Sequence, residues 1–433
     1  MEMHPFYKGK MEMSLKAPVR RFSDFSIWYT PGVARSCMAI KKNKKLSWEH
    51  TNRANTIAVI SDGTRVLGLG DIGPEAAMPV MEGKALLFKY LGGVDAFPLC
   101  LDARDPERFI DTVKVLEPSL GGINLEDIAT PKCFDILDRL RKEMSIPVWH
   151  DDQQGTATVE IAGFLNAAKL VGKKVRDMQV TMIGAGAANI RIADILVQIG
   201  VRGENIIMCD SKGVLSEARD DLDDMKENNR EKYRACMEYS GVSRECTVDS
   251  CTKGSDALLG ASRPVPGTIT KEMIRDMSDR PIVFAAANPE PEIWPWDAKE
   301  AGAYVIATGR SDFPNQINNS LGFPGIFRGA LDVRAKTITD NMCIAAAAEL
   351  AKVAEDNGLK ADYIIPNMEE WEVFPREAAA VGVQAVKDGT ARVNKGYDEI
   401  LRSAQKIISR ARNETDLKME KGLITEAPDG TLL

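Results

Sequence analysis

The stretch VTMIGAGAANIRIADILVQIGVRGENIIMCD, residues 180–210, decides the fold class. An apolar run, a glycine-rich turn, an amphipathic stretch and a second apolar run follow one another, which predicts a strand, a helix and a parallel strand. Short apolar runs of the same kind recur near residues 56, 94, 146, 282 and 303, with helical patterns between them. This alternation predicts an α/β fold that contains a Rossmann-type doubly wound sheet.

The glycine-rich turn is a candidate dinucleotide site. Gly184 permits the tight turn, Gly186 lets the backbone approach a pyrophosphate, and the helix that follows offers its free N–H groups to the phosphates. Asn189 stands where a third Gly or Ala is usual, which weakens the motif without removing it.

The residues after the second strand bear on the choice of cofactor. Asp210 lies 21 residues beyond Asn189 and would accept hydrogen bonds from a ribose, which favours NAD. Ser211 and Lys212 could instead hold the extra phosphate of NADP, so the sequence leaves NAD and NADP open. The predicted dinucleotide contacts of this region are Gly184, Gly186, Ala187, Ala188, Asn189, Asp210, Ser211 and Lys212.

A literal GxGxxG also occurs at Gly68, Gly70 and Gly73. Pro74 suits a first helical turn, but Pro79 interrupts the next one, which argues against a straight helix that faces a phosphate. We therefore interpret this segment as a loop on the substrate side.

Length and composition limit the function classes. The chain has 433 residues, 44% of them hydrophobic and 27% charged, which is typical of a globular protein of two or three domains. No apolar run is long enough for a membrane helix, and the net charge of -7 argues against nucleic acid or membranes as partners. We expect a cytoplasmic protein whose eight scattered cysteines bind no zinc.

The predicted organisation has three parts. Residues 1–155 form an α/β domain for substrate and metal, residues 156–400 form the dinucleotide domain, and residues 401–433 form a C-terminal helix and tail. The charge-dense stretch at 217–234 is typical of a helix that faces solvent.

Two acidic pairs follow strand-like runs: Glu126 and Asp127 after GGINL, and Asp151 and Asp152 after IPVWH. Each pair alone could be a helix cap or a surface feature. The second pair, however, leads directly into an uncharged, alanine-rich helix, where solvation is a poor explanation. Carboxylates without a Cys or His companion suit hard Mg²⁺ or Mn²⁺ rather than Zn²⁺.

Taken together, these blocks resemble the malic enzyme family in its shorter, bacterial-type branch. The resemblance runs in the family's order from about residue 25 to 330. It rests on Tyr29-Thr-Pro-Gly-Val, Arg65-Val-Leu-Gly-Leu-Gly-Asp, Glu82-Gly-Lys84-Ala, Asn124-Leu-Glu126-Asp127, His150-Asp151-Asp152-Gln-Gln-Gly-Thr, the GAGAAN turn, Ala287-Asn288-Pro289 and Asn318-Asn319 before Phe323-Pro-Gly.

The resemblance implies a reaction and the residues that perform it. The reaction is metal- and NAD(P)-dependent oxidative decarboxylation of L-malate to pyruvate and CO₂, with decarboxylation of oxaloacetate as a related activity. The implied roles are the metal for Glu126, Asp127 and Asp152, malate for Arg65, Asn288 and Asn319, proton transfer for Lys84, Tyr29 and Asp151, and further cofactor contacts for Asn288 and Asn318.

The residue types suit this chemistry. Lys84 can act as the base if it starts neutral. A nearby metal lowers the pKa of Lys84, whereas Asp151 favours its charged form, so the two influences oppose one another. Tyr29 can protonate C3 of the enol that follows loss of CO₂. The family also implies a homodimer, and the sequence does not show whether one subunit supplies both residues.

Alternatives remain open at this stage. Tyr29 could pack against a domain edge, Lys84 could be a solvated helix residue, and Asn318-Asn319 could form a turn. For the whole protein, the alternatives are a malolactic-type enzyme that releases lactate and a dinucleotide sensor without catalysis.

Overall fold

The computed structural model describes residues 3–239, 247–248 and 250–427. Its strands are β1 Thr56–Ser61, β2 Asp95–Cys100, β3 Gly122–Leu125, β4 Val148–His150, β5 Val180–Ile183, β6 Ile206–Asp210, β7 Gly213–Val214, β8 Ala257–Gly260, β9 Ile282–Ala285 and β10 Val305–Thr308. Its α-helices are α1 Met3–Tyr7, α2 Phe25–Trp28, α3 Val33–Lys42, α4 Ser47–His50, α5 Pro74–Gly92, α6 Pro106–Val115, α7 Lys132–Glu143, α8 Thr156–Val171, α9 Ala187–Gln198, α10 Leu222–Asn228, α11 Arg230–Glu238, α12 Lys271–Arg275, α13 Pro295–Glu300, α14 Phe323–Asp332, α15 Asp340–Asp356, α16 Val373–Lys387 and α17 Tyr397–Glu420.

The first sheet has four parallel strands in the order β2-β1-β3-β4. Every residue of β1 and β3 is buried, as expected for strands covered on both faces. Because β3 and β4 are parallel neighbours, the segments that follow them leave the same edge of the sheet.

The second sheet has the strand order β10-β9-β8-β5-β6-β7. Its strands are parallel except β7, which pairs antiparallel with β6. The order reverses around β5, so the predicted doubly wound arrangement is confirmed. Strand β8 was not predicted, because its sequence, ALLG, has no β-branched residue to distinguish it from a turn of helix.

Helix α8 and the C-terminal helices join the two sheets through one continuous core. Helices α14 and α17 pack against α5 of the first sheet. The ring of Phe88 lies 4.5 Å from Phe323 and 5.2 Å from Phe327, and the backbone of Gly93 touches Ile407. Helix α14 belongs to the predicted dinucleotide domain, residues 156–400, and also contacts α5 beside the first sheet; the predicted division stays a prediction.

Helix α5 contains the helical pattern expected from Glu75 to Leu91, but Pro79 does not interrupt it as expected. It runs without interruption from Pro74 to Gly92 and contains Pro79. Pro79 occupies the sixth helical position, where its missing N–H costs only one hydrogen bond near the helix start. Among the described residues, no helix has the length and apolarity needed to cross a membrane.

Candidate active site

The two acidic pairs meet at the carboxyl edge of the first sheet. Glu126 and Asp127 directly follow β3, and Asp151 and Asp152 directly follow β4. The carboxylate oxygens of Glu126, Asp127 and Asp152 lie within 4.8 Å of one another. Residues far apart in sequence therefore converge as expected from the ends of adjacent parallel strands.

Local backbone geometry turns these carboxylates toward one another. Asp127 adopts a left-handed conformation with φ of 55°, and its N–H donates to Asp152 Oδ2 at 2.9 Å. The N–H of Leu67 donates to Asp127 Oδ1 at 3.2 Å, and the amide of Asn124 donates to Glu126 Oε2 at 2.8 Å. Asp151 and Asp152 begin a π-helical turn, Asp151–Gly155, which leads into α8.

Lys84 projects into this cluster from α5. Its side chain is 9% exposed, and its Nζ lies 2.6 Å from Asp151 Oδ2 and 3.0 Å from Glu126 Oε1. The ammonium also lies 4.4 Å from the centre of the Phe323 ring. Burial alone lowers the pKa of Lys84, but the charges of Asp151 and Glu126 outweigh it, so the pKa is raised above its ordinary value. We call Lys84, Glu126, Asp127, Asp151 and Asp152 the acidic pocket.

Negative charge is in excess in the acidic pocket, where four carboxylates face one ammonium. Burial raises the pKa of Glu126 well above its ordinary value, against the attraction of Lys84. Burial and the charge of Asp152 raise the pKa of Asp127 to about 8. Asp127 Oδ2 is buried and has no hydrogen-bond partner within the described residues. An excess of hard oxygen donors around an unpartnered carboxylate oxygen fits a divalent cation such as Mg²⁺ or Mn²⁺.

The glycine-rich turn between β5 and α9 fits a dinucleotide pyrophosphate. Gly184 has φ of 104°, and a Cβ there would lie 2.6 Å from the carbonyl oxygen of Ala261. A Cβ at Gly186 would meet no atom within 4 Å, so the backbone there is open to an approaching ligand. Helix α9 begins at Ala187 without a side-chain cap, which leaves its first N–H groups available to an anion.

Asn189 has a structural role that was not expected from its position in the motif, where a third Gly or Ala is usual. Its side chain is buried and donates from Nδ2 to the carbonyl oxygens of Ile183 at 3.0 Å and Gly184 at 2.8 Å. The amide therefore ties α9 to the end of β5. Helix α9 also contacts the turn Asp151–Gly155, so the dinucleotide turn and the acidic pocket are neighbours.

The remaining substrate candidates lie on loops around this region. Asn288 and Asn318 both contact Gly309, and Asn319 packs against Gly155 next to the acidic pocket. Arg65 is exposed, and its N–H donates to the carbonyl oxygen of Asp127 at 3.1 Å. The loop that contains Arg65 touches Asn288, since a Cβ on Gly68 would lie 2.7 Å from the Asn288 carbonyl oxygen.

Tyr29 lies in a segment that is largely exposed. Its side chain is 72% exposed, and helices α2 and α3 on either side of it bury none of their residues. Phe22 and Trp28, in the same segment, are 89% and 48% exposed. Among the described residues, no hydrogen bond or ion pair joins Tyr29 to Lys84, whose Nζ is paired with Asp151 and Glu126.

Sequence reasoning missed several residues that support the site. Asn124 orients Glu126, and Phe323 lies against Lys84. Glu292 is buried, and it accepts hydrogen bonds from Ser262 N–H at 2.8 Å and Ala287 N–H at 3.1 Å, which links the loops after β8 and β9. A polar residue inside the buried run GINL was a usable signal for Asn124, whereas nothing local distinguished Glu292 from its neighbour Glu290.

Comparisons with known proteins agree with this geometry. Residues 8–141 match the family model of the malic enzyme N-terminal domain, and residues 153–387 match that of the malic enzyme NAD-binding domain. The chain is 48% identical to the bifunctional malic/malolactic enzyme of Bacillus subtilis over 408 residues, 94% of this chain and 97% of that one. It is 49% identical to the NAD-dependent malic enzyme of Geobacillus stearothermophilus over 388 residues, 89% and 78% of the two chains.

A solved structure gives the same result. The malic enzyme of Entamoeba histolytica superimposes with a TM-score of 0.96 at 46% identity, covering 99% of this chain and 89% of that one. The chain belongs to the malic enzyme family.

Proposed function

We propose that the acidic pocket is where this malic enzyme, a decarboxylating malate dehydrogenase, oxidises L-malate and releases CO₂ to form pyruvate. The observation that carries the proposal is the convergence of Lys84 with the carboxylates after β3 and β4, beside a turn that fits a dinucleotide. Each component corresponds to one requirement of the reaction: a cation site, a proton acceptor and a place for a hydride acceptor.

Glu126, Asp127 and Asp152 are the proposed ligands of Mg²⁺ or Mn²⁺. When bound there, the cation supplies a Lewis acid that stabilises negative charge on the C2 oxygen of malate. The three side chains are held in place by the N–H groups of Asp127 and Leu67 and by the amide of Asn124, so the site is formed before a ligand arrives.

Lys84 is the proposed base that removes the proton from the C2 hydroxyl. It must be neutral when it does so, and Asp151, 2.6 Å from its Nζ, is positioned to take a proton from it. Neutralisation of Glu126 by a cation weakens the interaction that keeps Lys84 charged. Asp151 therefore both holds the lysine in place and offers its proton a route out.

Malate carboxylates need cationic and amide donors, which Arg65, Asn288 and Asn319 can supply. Arg65 lies on a loop that contacts both Asp127 and Asn288. Asn318 is already engaged as the cap of a short helix, with its Oδ1 accepting from the N–H of Ser320 at 3.0 Å. Asn288 and Asn318 are the proposed contacts to the nicotinamide half of NAD or NADP, which supplies the hydride acceptor.

Tyr29 is the proposed acid for the final protonation, and we propose that it acts in the site of a second copy within a homodimer. Phe22, Trp28 and Tyr29 present apolar and aromatic surface that the described part of the chain leaves exposed. Apolar surface of this kind is stable when another protein covers it.

A complementation experiment tests this arrangement. Tyr29→Phe and Lys84→Ala are each expected to be inactive alone, whereas mixed dimers contain one intact site and recover part of the activity. Absence of recovery after the variants are unfolded together and refolded would contradict the exchange of Tyr29 between copies.

The reaction itself is tested by product analysis. Purified protein with L-malate, Mn²⁺ and either NAD⁺ or NADP⁺ is expected to yield NAD(P)H and pyruvate in equal amounts, with oxaloacetate decarboxylation as a side activity. Failure to form pyruvate with either dinucleotide would overturn the proposal.

The second candidate is a malolactic reaction, favoured by the similarity to the B. subtilis enzyme, whose name includes both activities. The same pocket serves it if the reduced dinucleotide stays bound and returns its hydride to pyruvate. Lactate formation without accumulation of free NAD(P)H would identify this reaction.

A further inference from the structure

A second cluster of charged residues lies at the end of β6. Asp210 Oδ1 accepts from Arg219 Nη1 at 2.7 Å and from the N–H of Lys212 at 2.8 Å, and Asp210 Oδ2 is paired with Lys232 Nζ. Arg219 also donates to Asp221, from Nε to Oδ1 at 2.8 Å and from Nη2 to Oδ2 at 2.8 Å. Lys212 Nζ also reaches Asp221, at 2.7 Å. We call Asp210, Lys212, Arg219, Asp221 and Lys232 the β6 cluster.

The β6 cluster changes what Asp210 can do. An acid at this position selects NAD when its carboxylate is free to accept hydrogen bonds from the ribose hydroxyls, and it repels the 2′-phosphate of NADP. Here both oxygens of Asp210 are engaged by cations, and its side chain is only 7% exposed. Its negative charge is therefore neutralised from within the protein.

The cations of the β6 cluster are unequally accessible. Arg219 is 8% exposed, and its guanidinium nitrogens are all committed to Asp210 and Asp221. Lys212 is 63% exposed, and Ser211 beside it is exposed too. An ammonium and a hydroxyl on adjacent residues are suitable donors for a phosphate monoester.

We propose that the β6 cluster makes this chain select NADP over NAD. Lys212 and Ser211 bind the 2′-phosphate, while Arg219 and Lys232 act as positioning residues that cancel the charge of Asp210 beneath it. The inference deepens the proposed function, because it concerns the adenosine end of the same dinucleotide site. It adds two residues, Arg219 and Lys232, that lie in a stretch expected from sequence to face solvent.

The test uses adenosine 2′,5′-bisphosphate and AMP as probes, measured by calorimetry on the purified full-length chain without malate or metal. The wild-type protein is expected to bind the bisphosphate at least roughly tenfold more tightly than AMP, as expected for a charge-assisted contact to the added phosphate. Equal or tighter binding of AMP would overturn the proposal.

Two variants separate the two roles. Lys212→Met is expected to weaken bisphosphate binding roughly tenfold through loss of a direct contact. Lys232→Met is expected to weaken it by a similar factor and to leave AMP binding unchanged or improved, because Asp210 regains its negative charge. Lys226→Met is the matched control, since Lys226 lies on α10 outside the cluster, 6.0 Å from the centre of the Tyr233 ring. Unchanged bisphosphate-to-AMP selectivity in Lys212→Met and Lys232→Met would overturn the proposal.

The experiment distinguishes this inference from the proposed function. If the protein prefers AMP yet converts malate to pyruvate with NAD⁺, the cofactor inference fails and the reaction stands. If it binds neither probe, both the adenosine site and the cofactor inference are wrong, whatever the outcome of the malate assay. A circular-dichroism melting curve for each variant shows that the fold is retained.

Discussion

The acidic pocket and the β6 cluster both form where strands of a parallel sheet end, yet their charge balance is opposite. In the acidic pocket, four carboxylates face the single ammonium of Lys84, and Asp127 Oδ2 has no hydrogen-bond partner within the described residues. In the β6 cluster, three cations enclose two carboxylates, and each carboxylate has at least two charged partners. The first cluster keeps an excess of carboxylates, whereas the carboxylates of the second are neutralised by its own cations.

This difference separates two uses of buried charge. Unbalanced carboxylates destabilise the protein alone and are retained where they bind something. Balanced ion pairs instead hold a loop in place and set the local potential that a ligand meets. Substitutions in the two clusters test this contrast.

Removal of the ammonium from the acidic pocket is expected to have the largest effect. Lys84→Ala should lower the rate of malate oxidation by about 10³-fold or more, because no other base replaces it. Calorimetry should show unchanged binding of the dinucleotide, because its proposed contacts, on the turns before α9 and after β6 and at Asn288 and Asn318, do not include Lys84. Turnover within a few-fold of the wild type would mean that Lys84 is not the base.

Removal of a carboxylate should lower the metal affinity of the protein in the acidic pocket but not in the β6 cluster. Asp152→Ala should weaken Mn²⁺ binding by roughly 100-fold, since loss of even an outer-shell partner costs 10- to 100-fold at other metal sites. Asp221→Ala is the matched control and should leave Mn²⁺ affinity unchanged. Titration of both variants by calorimetry makes the comparison, and equal effects would remove the distinction between the clusters.

Glu377 provides a third case, a buried carboxyl with no hydrogen-bond partner among the described residues. Burial and the charge of Glu349 raise its pKa well above 4.5. The folded state therefore keeps this proton at pH values where the unfolded chain has lost it. The free energy of unfolding should fall as pH rises above about 4.5, by up to about 1.4 kcal/mol per pH unit.

Urea denaturation of the wild type and of Glu377→Gln at several pH values measures this effect. The variant should lose less stability with rising pH, because its amide does not ionise. Identical pH dependence of the two proteins would show that Glu377 is already ionised in the folded state.

The smallest expected effect is on the free energy of unfolding, which should change in opposite directions in the two clusters. Without metal and at a pH above about 8, where Asp127 is ionised, Asp152→Asn should raise the free energy of unfolding by about 1 kcal/mol, because it relieves repulsion with the Asp127 carboxylate in a partly solvated site. Asp221→Asn should lower it, because Arg219 and Lys212 lose a partner. Urea denaturation in the presence of a chelator measures both, and a loss of stability in Asp152→Asn would contradict the charge excess.

The acidic pairs and the glycine-rich turn could be predicted from the sequence, because the signals for both lie in neighbouring residues. The acidic pairs directly follow β3 and β4, so the rule that ligands bind at the carboxyl ends of parallel strands was enough to bring them together. The turn at Gly184 and Gly186 was likewise readable from spacing, because glycine is required where the backbone approaches a phosphate.

What the sequence did not reveal depends on residues distant along the chain. Arg219 and Lys232 lie in a charge-dense stretch expected to face solvent, and only folding brings them to Asp210. The role of Asn189 was hidden for a different reason: its partners, the carbonyl oxygens of Ile183 and Gly184, are close in sequence, but only the conformation of the turn presents them to its side chain. Tyr29 is the converse case: its motif was recognisable, but its place in the described chain is an uncovered surface.

Anomalous diffraction from crystals grown with Mn²⁺ locates the proposed cation. We expect an anomalous peak in contact with the carboxylates of Glu126, Asp127 and Asp152, within reach of the C2 oxygen of a bound malate. A well-ordered protein with no peak in the acidic pocket at saturating Mn²⁺, or with the peak elsewhere, would contradict it.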